Sequence, residues 1–217
     1  MKKTVYSVVL SDEVIEKIDR LTYMHNTNRS NMINQILADY VSLTTPEKRN
    51  RDIFEELSEL LCAGNNFREM LPPTHSVCSL ASALCYKYNP TVRYSVELYR
   101  ETSKEQGKIK VSVRTTNAVL IDSMIDFFCL WENTERKFGV KGNASFADGV
   151  YCRPIVLRKS PFCDEFYSDK ISGGEIIARY ISLFDRAMKI YFDDDTGNSE
   201  RISELYYSYL RENGRII

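Results

Sequence analysis

Hydrophobic and polar positions change rhythm several times along the chain. Thr4 to Ser11 alternates, with Val5, Ser7 and Val9 on one side and Tyr6, Val8 and Leu10 on the other, which is the period of a β-strand. From Asp12 the period lengthens: Val14, Ile15, Ile18 and Leu21 recur at helical spacing, behind Ser11 as an N-cap and with Asp12 and Glu13 in the first turn. The spacing predicts a helix from about Asp12 to His25, ended by Asn26 in the left-handed conformation. Asn28 then caps a second helix whose apolar stripe is Met32, Ile33, Ile36, Leu37, Tyr40 and Val41. Thr45-Pro46 opens a third, carrying Ile53, Phe54, Leu57, Leu60 and Leu61 inward and closed by Gly64.

After the break at Pro72-Pro73, Thr74 is placed to cap a helix from His75 to about Tyr88, stopped by Asn89-Pro90. Val92, Tyr94, Val96 and Leu98 alternate with Arg93, Ser95, Glu97 and Tyr99. Ile109, Val111 and Val113 alternate with Lys108, Lys110, Ser112 and Arg114. These read as an antiparallel hairpin joined by TSKEQG. Asn117 caps a long apolar helix to about Phe138, with Phe127, Phe128 and Trp131 as core and Gly139 behind. Val150 to Leu157 reads as a third strand. Ser172 and Glu175 form a capping box for a helix to about Phe192, and a last helix runs from about Ser199 to Asn213. The fold class is therefore α+β: one strand and two helices over residues 1–45, then a mostly helical domain with a small antiparallel sheet over 46–217.

The first of these parts is incomplete as it stands. A lone strand leaves its N–H and C=O groups unpaired, and two short helices bury too little surface. A partner from the distant hairpin would leave that hairpin's own pairing redundant. A second copy of the chain solves both problems, with two strands pairing antiparallel about a two-fold axis and four helices closing one core. The expected core positions are Tyr6, Val8, Leu10, Ile18, Leu21, Ile33, Ile36, Leu37 and Tyr40.

The strand VYSVVLS, the helix DEVIEKIDRL, the turn NTNRS and the helix NMINQILADYV, in that order and spacing, resemble the ribbon-helix-helix family of DNA-binding proteins, the MetJ, Arc and CopG-like class. The resemblance covers Lys2 to about Leu43. It implies a homodimeric, sequence-specific regulator whose paired strands lie in the DNA major groove. Val5, Ser7 and Val9 would face the bases. Lys2, Lys3, Asn28, Arg29 and Ser30 would meet phosphate, and the free N–H groups at a helix start favour an anion independently of the resemblance. The departure from the family is in the readers. Valine offers only apolar contact and Ser7 a single hydroxyl, whereas bidentate base pairing needs longer polar side chains.

Charge agrees with modest affinity. The chain of 217 residues has net charge −1, and residues 1–45 hold five basic against five acidic side chains, with Lys48, Arg49 and Arg51 close behind. No apolar run reaches the roughly 20 residues of a membrane span, and MKKTVYSVVLSDE is too short an apolar stretch for a signal peptide, so the expected location is cytoplasmic. No GxSxG, Walker A, HExxH or Rossmann glycine pattern occurs, and the two histidines are His25 and His75; the expectation is a protein that is not an enzyme and needs no cofactor. His75, Cys78 and Cys85 would lie within about 80° on one helix face, a possible metal face with Cys62, set against the commoner reading of six cysteines as free core thiols. DDDTGNSE misplaces glycine for a calcium loop and reads as a solvated turn. Beside the DNA-binding reading stands a protein-interaction module, accessory to a toxin, relaxase or nuclease complex, in which the N-terminal part only dimerises.

Overall fold

The computed structural model describes residues 4–100, 104–159, 161, 171–193, 198–213 and 215–217. The chain divides into two units, Met1–Arg49 and Asn50–Ile217. Among the described residues it is mixed α+β, with six helices and a six-stranded antiparallel sheet. No described helix is long and apolar enough to cross a membrane.

In the first unit α1 spans Asp12–Met24 and α2 Arg29–Tyr40. Asn26 takes a left-handed φ of 46°, and the Asn28 side chain accepts the N–H of Asn31 at 2.9 Å. Ser11 differs from expectation: its backbone oxygen starts α1, but its side chain caps nothing. The segment Thr4–Leu10 forms no ladder with any described part of the chain, so the first regular element is α1. A strand exists only through its partner, and alternation alone does not supply one.

Helix α3, Pro46–Cys62, begins in the first unit and ends in the second. Thr45 Oγ1 accepts the Lys48 N–H at 3.1 Å, the expected cap. Phe54, Leu57 and Leu61 are buried, while Leu60 is half exposed. The second unit's sheet comprises β1 (Phe67–Leu71), β2 (Val77–Ala83), β3 (Thr91–Leu98), β4 (Gly107–Val113), β5 (Ser145–Ala147) and β6 (Val150–Ile155), in the order β1-β2-β3-β4-β6-β5. It is larger than the small sheet the sequence predicts. The expected helix from His75 is instead strand β2, and Thr74 Oγ1 closes the preceding turn by accepting the Val77 N–H at 3.0 Å. The stretch VCSLASALC has helical composition, but it sits between β1 and β3. Pairing on both sides outweighs propensity there. Tyr88 and Asn89, both at positive φ, turn the chain into β3. The hairpin β3–β4 forms in the expected phase, with Tyr94 opposite Val111.

Helix α4, Ala118–Lys137, starts where Asn117 accepts the N–H groups of Val119 and Leu120 and ends before Gly139, at φ +77°. β5 and β6 are joined by Asp148-Gly149, both at positive φ, the two-residue turn that suits a right-twisted hairpin. β1 loses register between Glu69 and Leu71 and runs into Pro72-Pro73. Helix α5 spans Gly173–Asp193 and α6 Asn198–Glu212; Ser172 Oγ accepts the Glu175 N–H at 3.0 Å. Glu175 reaches forward to Arg179 rather than back to Ser172, so only half of the capping box forms. A short pair, β7 (Arg158–Lys159) and β8 (Arg215–Ile216), completes the unit. Asp194–Gly197, within the predicted turn DDDTGNSE, lie outside the described residues.

Within the second unit, α4, α5, α6 and the second-unit part of α3 pack on one face of the sheet. Phe184 of α5 is the hub, with ring centroids 5.3 Å from Phe127 and Tyr151, 5.1 Å from Trp131 and 6.4 Å from Tyr94. Beside it lies a buried polar cluster. Arg153 of β6 pairs with Glu135 of α4, both side chains 1% exposed, and donates from Nη2 to the backbone oxygen of Ile217 at 2.8 Å. Tyr180 donates to Glu135 at 3.1 Å and accepts from Trp131 Nε1 at 2.9 Å. Burial pushes the Glu135 carboxyl up, opposed by Arg153 and the Tyr180 hydroxyl. Gly142 lies so close that a Cβ there would overlap both the guanidinium and the carboxylate.

The cysteines are free thiols among the described residues, in differing surroundings. Cys78 faces the core and is pushed up to about 11 by burial, whereas Cys85 and Cys129 are exposed. His75, Cys78 and Cys85 share no helix face, because Cys78 is on a strand and Cys85 in the turn beyond it.

Two outcomes follow. Arg153→Met leaves Glu135 buried without its cation and is expected to cost about 3–5 kcal/mol in urea unfolding, while the paired change Arg153→Met with Glu135→Leu costs less. A thiol reagent at about pH 8 labels Cys85 and Cys129 fast, and Cys78 only through unfolding. Because the folded Cys78 holds its proton, its contribution to stability is full below the ordinary thiol range and is lost as pH rises to about 11.

Candidate nucleic-acid interface

In the first unit, Val5 and Val9 are 96% and 99% exposed, and Ser7 between them is exposed too. The opposite side of the same segment is scarcely better covered, with Tyr6 at 83% and Val8 at 70%; only Leu10 is half-buried. Among the helical positions expected in a shared core, Ile18 is buried and Leu21 and Ile33 are half-buried, whereas Ile36, Leu37 and Tyr40 are exposed. Ile18 of α1 thus finds cover within one chain, whereas Ile36, Leu37 and Tyr40 in the C-terminal half of α2 do not.

The start of α2 has the electrostatics of an anion site. No acidic residue lies in its first turn, so the positive end of the helix is uncompensated from within. Asn28 is occupied as the cap, and Ser30 is exposed. Arg29 is bound: its Nε and Nη2 donate to the two carboxylate oxygens of Asp19 at 2.8 and 2.7 Å. The hydrogen bonds and charge of Arg29 hold the Asp19 carboxyl below its usual range, and Asp19 in turn raises Arg29. Both side chains are about half exposed, so an incoming anion competes with Asp19 for the same donors. Lys2 and Lys3 lie outside the described residues.

A second cationic surface is absent from the expectations. On the sheet face away from the helices, strand pairing sets Arg68, Ala81, Arg93 and Ser112 side by side across four strands. Arg114 follows two residues beyond Ser112 and lines the same concavity of about 600 Å³ with Arg68, Met70, Thr91, Arg93 and Val113. Lys108 and Lys110 lie farther along this face, where both pair with Glu97. The outward phase of Arg93, Lys110 and Arg114 is readable from the alternating hairpin. Arg68 is not, because FREML lacks alternation and sits at a sheet edge.

The exposed stripe on α2 sets an expected oligomeric state. Substituting Leu37→Glu places charge on it and is expected to raise the monomer fraction in sedimentation at micromolar concentration, with the helical signal of the second unit unchanged.

No known protein family matches this chain, and no curated protein or solved structure is similar to it.

Proposed function

We propose that the chain is a homodimeric, sequence-specific DNA-binding protein of the ribbon-helix-helix class, a transcriptional regulator that inserts paired N-terminal strands into the major groove. The observation that carries this reading is the segment Thr4–Leu10: apolar on both sides, exposed, and without a ladder partner in the described chain. Pairing with its counterpart in a second copy satisfies the backbone, and the exposed Ile36, Leu37 and Tyr40 give the two copies an apolar surface to share. In such a dimer Val5, Ser7 and Val9 face outward to the bases. The starts of the two α2 helices, with Arg29 released from Asp19, meet phosphate. The second unit then serves oligomerisation, ligand sensing or protein contact.

A second reading has its own support. Val5 and Val9 carry no hydrogen-bonding group, and Arg29 is already paired. Both facts fit an N-terminal unit that dimerises for the sake of a protein-interaction module.

Retention of a random duplex pool at two salt concentrations separates the two. Enrichment of a short palindrome, lost with salt, is the expected result; no retention at either salt favours the interaction module. Within the first reading, Asp19→Asn frees Arg29 and is expected to strengthen retention, while Arg29→Ala weakens it for every sequence and lowers the salt slope by about 1. The exposed pair matters little to folding, so thermal melting of both variants stays close to that of the parent.

A further inference from the structure

We infer that the open face of the six-stranded sheet binds the phosphodiester backbone of a single-stranded nucleic acid, with Arg68, Arg93 and Arg114 as its cationic contacts. The site lies wholly in the second unit and stands whether or not the N-terminal strands read duplex DNA.

The first argument is electrostatic. Among the described residues of strands β1–β4, the outward-facing Arg68, Arg93, Lys108 and Lys110, with Arg114 just beyond, share this face with one carboxylate, Glu97, and that carboxylate is spent on the two lysines. Arg68, Arg93 and Arg114 are exposed and have no carboxylate partner among the described residues. The register sets no carboxylate opposite any of these arginines: the residues across from them are Ala81 and Ser112. Here Arg68 and Arg93 flank Ala81, two strand spacings or roughly 10 Å apart, and the third arginine lies just beyond. An array of like charges in a chain of net charge −1 is relieved by a polyanion, and repeating phosphates at short intervals supply one.

The second argument is shape. The hollow beside the arginines is lined by the small side chains of Ser112 and Thr91, with Met70 and Val113 at its margin. The concavity of about 600 Å³ is in the range that holds a small ligand or a short stretch of strand. The major groove of a duplex is read by an element that protrudes into it, which a hollow on a sheet face does not. An unpaired strand fits, because guanidinium planes stack on exposed bases as well as pairing with phosphate, and small neighbours let the bases come down between them.

The test uses the full chain and a labelled single strand of about 12 nucleotides, followed by fluorescence anisotropy at about 50 and 200 mM salt. The variants are Arg68→Gln, Arg93→Gln and Arg114→Gln, singly and together, with Arg136→Gln on α4 as a control. The expected result is a fall in salt slope of about 0.7 per arginine removed, at least about tenfold weaker binding in the triple variant at low salt, and no change in the control. If the triple variant melts early, the three single slopes carry the test. Absence of single-strand binding by the parent, or a triple variant that binds with the parent's affinity and slope, would overturn the assignment. So would saturation by a nucleoside triphosphate with no gain on lengthening to the full strand, which would assign the hollow to a small phosphorylated ligand. The same preparations are tested on blunt duplex. No duplex retention by the parent counts against the N-terminal strands and leaves the single-strand result intact, whereas duplex retention lost only in the triple variant overturns the assignment of the sheet face to a single strand.

Discussion

A guanidinium buried beneath a sheet face, one strand in from the edge, is the constraint around which the second unit is organised. Arg153 points from β6 into the layer between sheet and helices, where an unpaired charge would cost several kilocalories per mole. Its needs dictate what stands around it. Glu135 must come from α4 at the right height, Tyr180 from α5 must satisfy the second carboxylate oxygen and lay its ring under the guanidinium, 4.7 Å from its centroid, and the chain's last residue must bring a backbone oxygen. One residue thereby ties strand, two helices and the β8 region together. Residue 142 must be glycine for the loop after α4 to pass. The surrounding apolar rings tolerate small shifts, whereas this hydrogen-bonded set demands particular distances between β6, α4, α5 and the chain's last residue.

The two units answer the problem of burial in opposite ways. The second has enough chain to enclose an aromatic core. The first has fewer than 50 residues and leaves much of its apolar surface uncovered, a condition that small units resolve by association. The proposed division of labour rests on that difference: association and duplex contact from the unit that cannot close alone, and a rigid sheet with a cationic face from the one that can.

Much of this was legible in the sequence where local chemistry decides the structure. Asn28, Thr45 and Asn117 cap helices as their side chains predict, and the β3–β4 hairpin shows its two faces in plain alternation. Legibility failed where the decision is made by distant pairing. VCSLASALC has the composition of a helix and becomes a strand because β1 and β3 flank it; FREML carries no periodic signal because Glu69 stands opposite the core residue Leu80 and the register slips after it. The candidate interface divides the same way. Asn28 and Arg29 were identifiable from the turn, but the grip of Asp19 on Arg29 depends on how two helices meet. The arginine face emerges only when four strands are set in register, since Arg68 and Arg93 are far apart in the chain and have no reason to be read together.

The edges of the sheet have a bearing on assembly. β1 slips register within its five residues and stops at two prolines, which cannot donate to a neighbouring strand, and β5 at the opposite edge is three residues long. Neither edge offers a stretch on which another chain can extend the sheet. A cell crowded with copies of this protein therefore meets little opportunity for runaway edge-to-edge stacking through the larger unit. The exposed, unpaired segment at Thr4–Leu10 lies in the other unit, apart from these blunted edges.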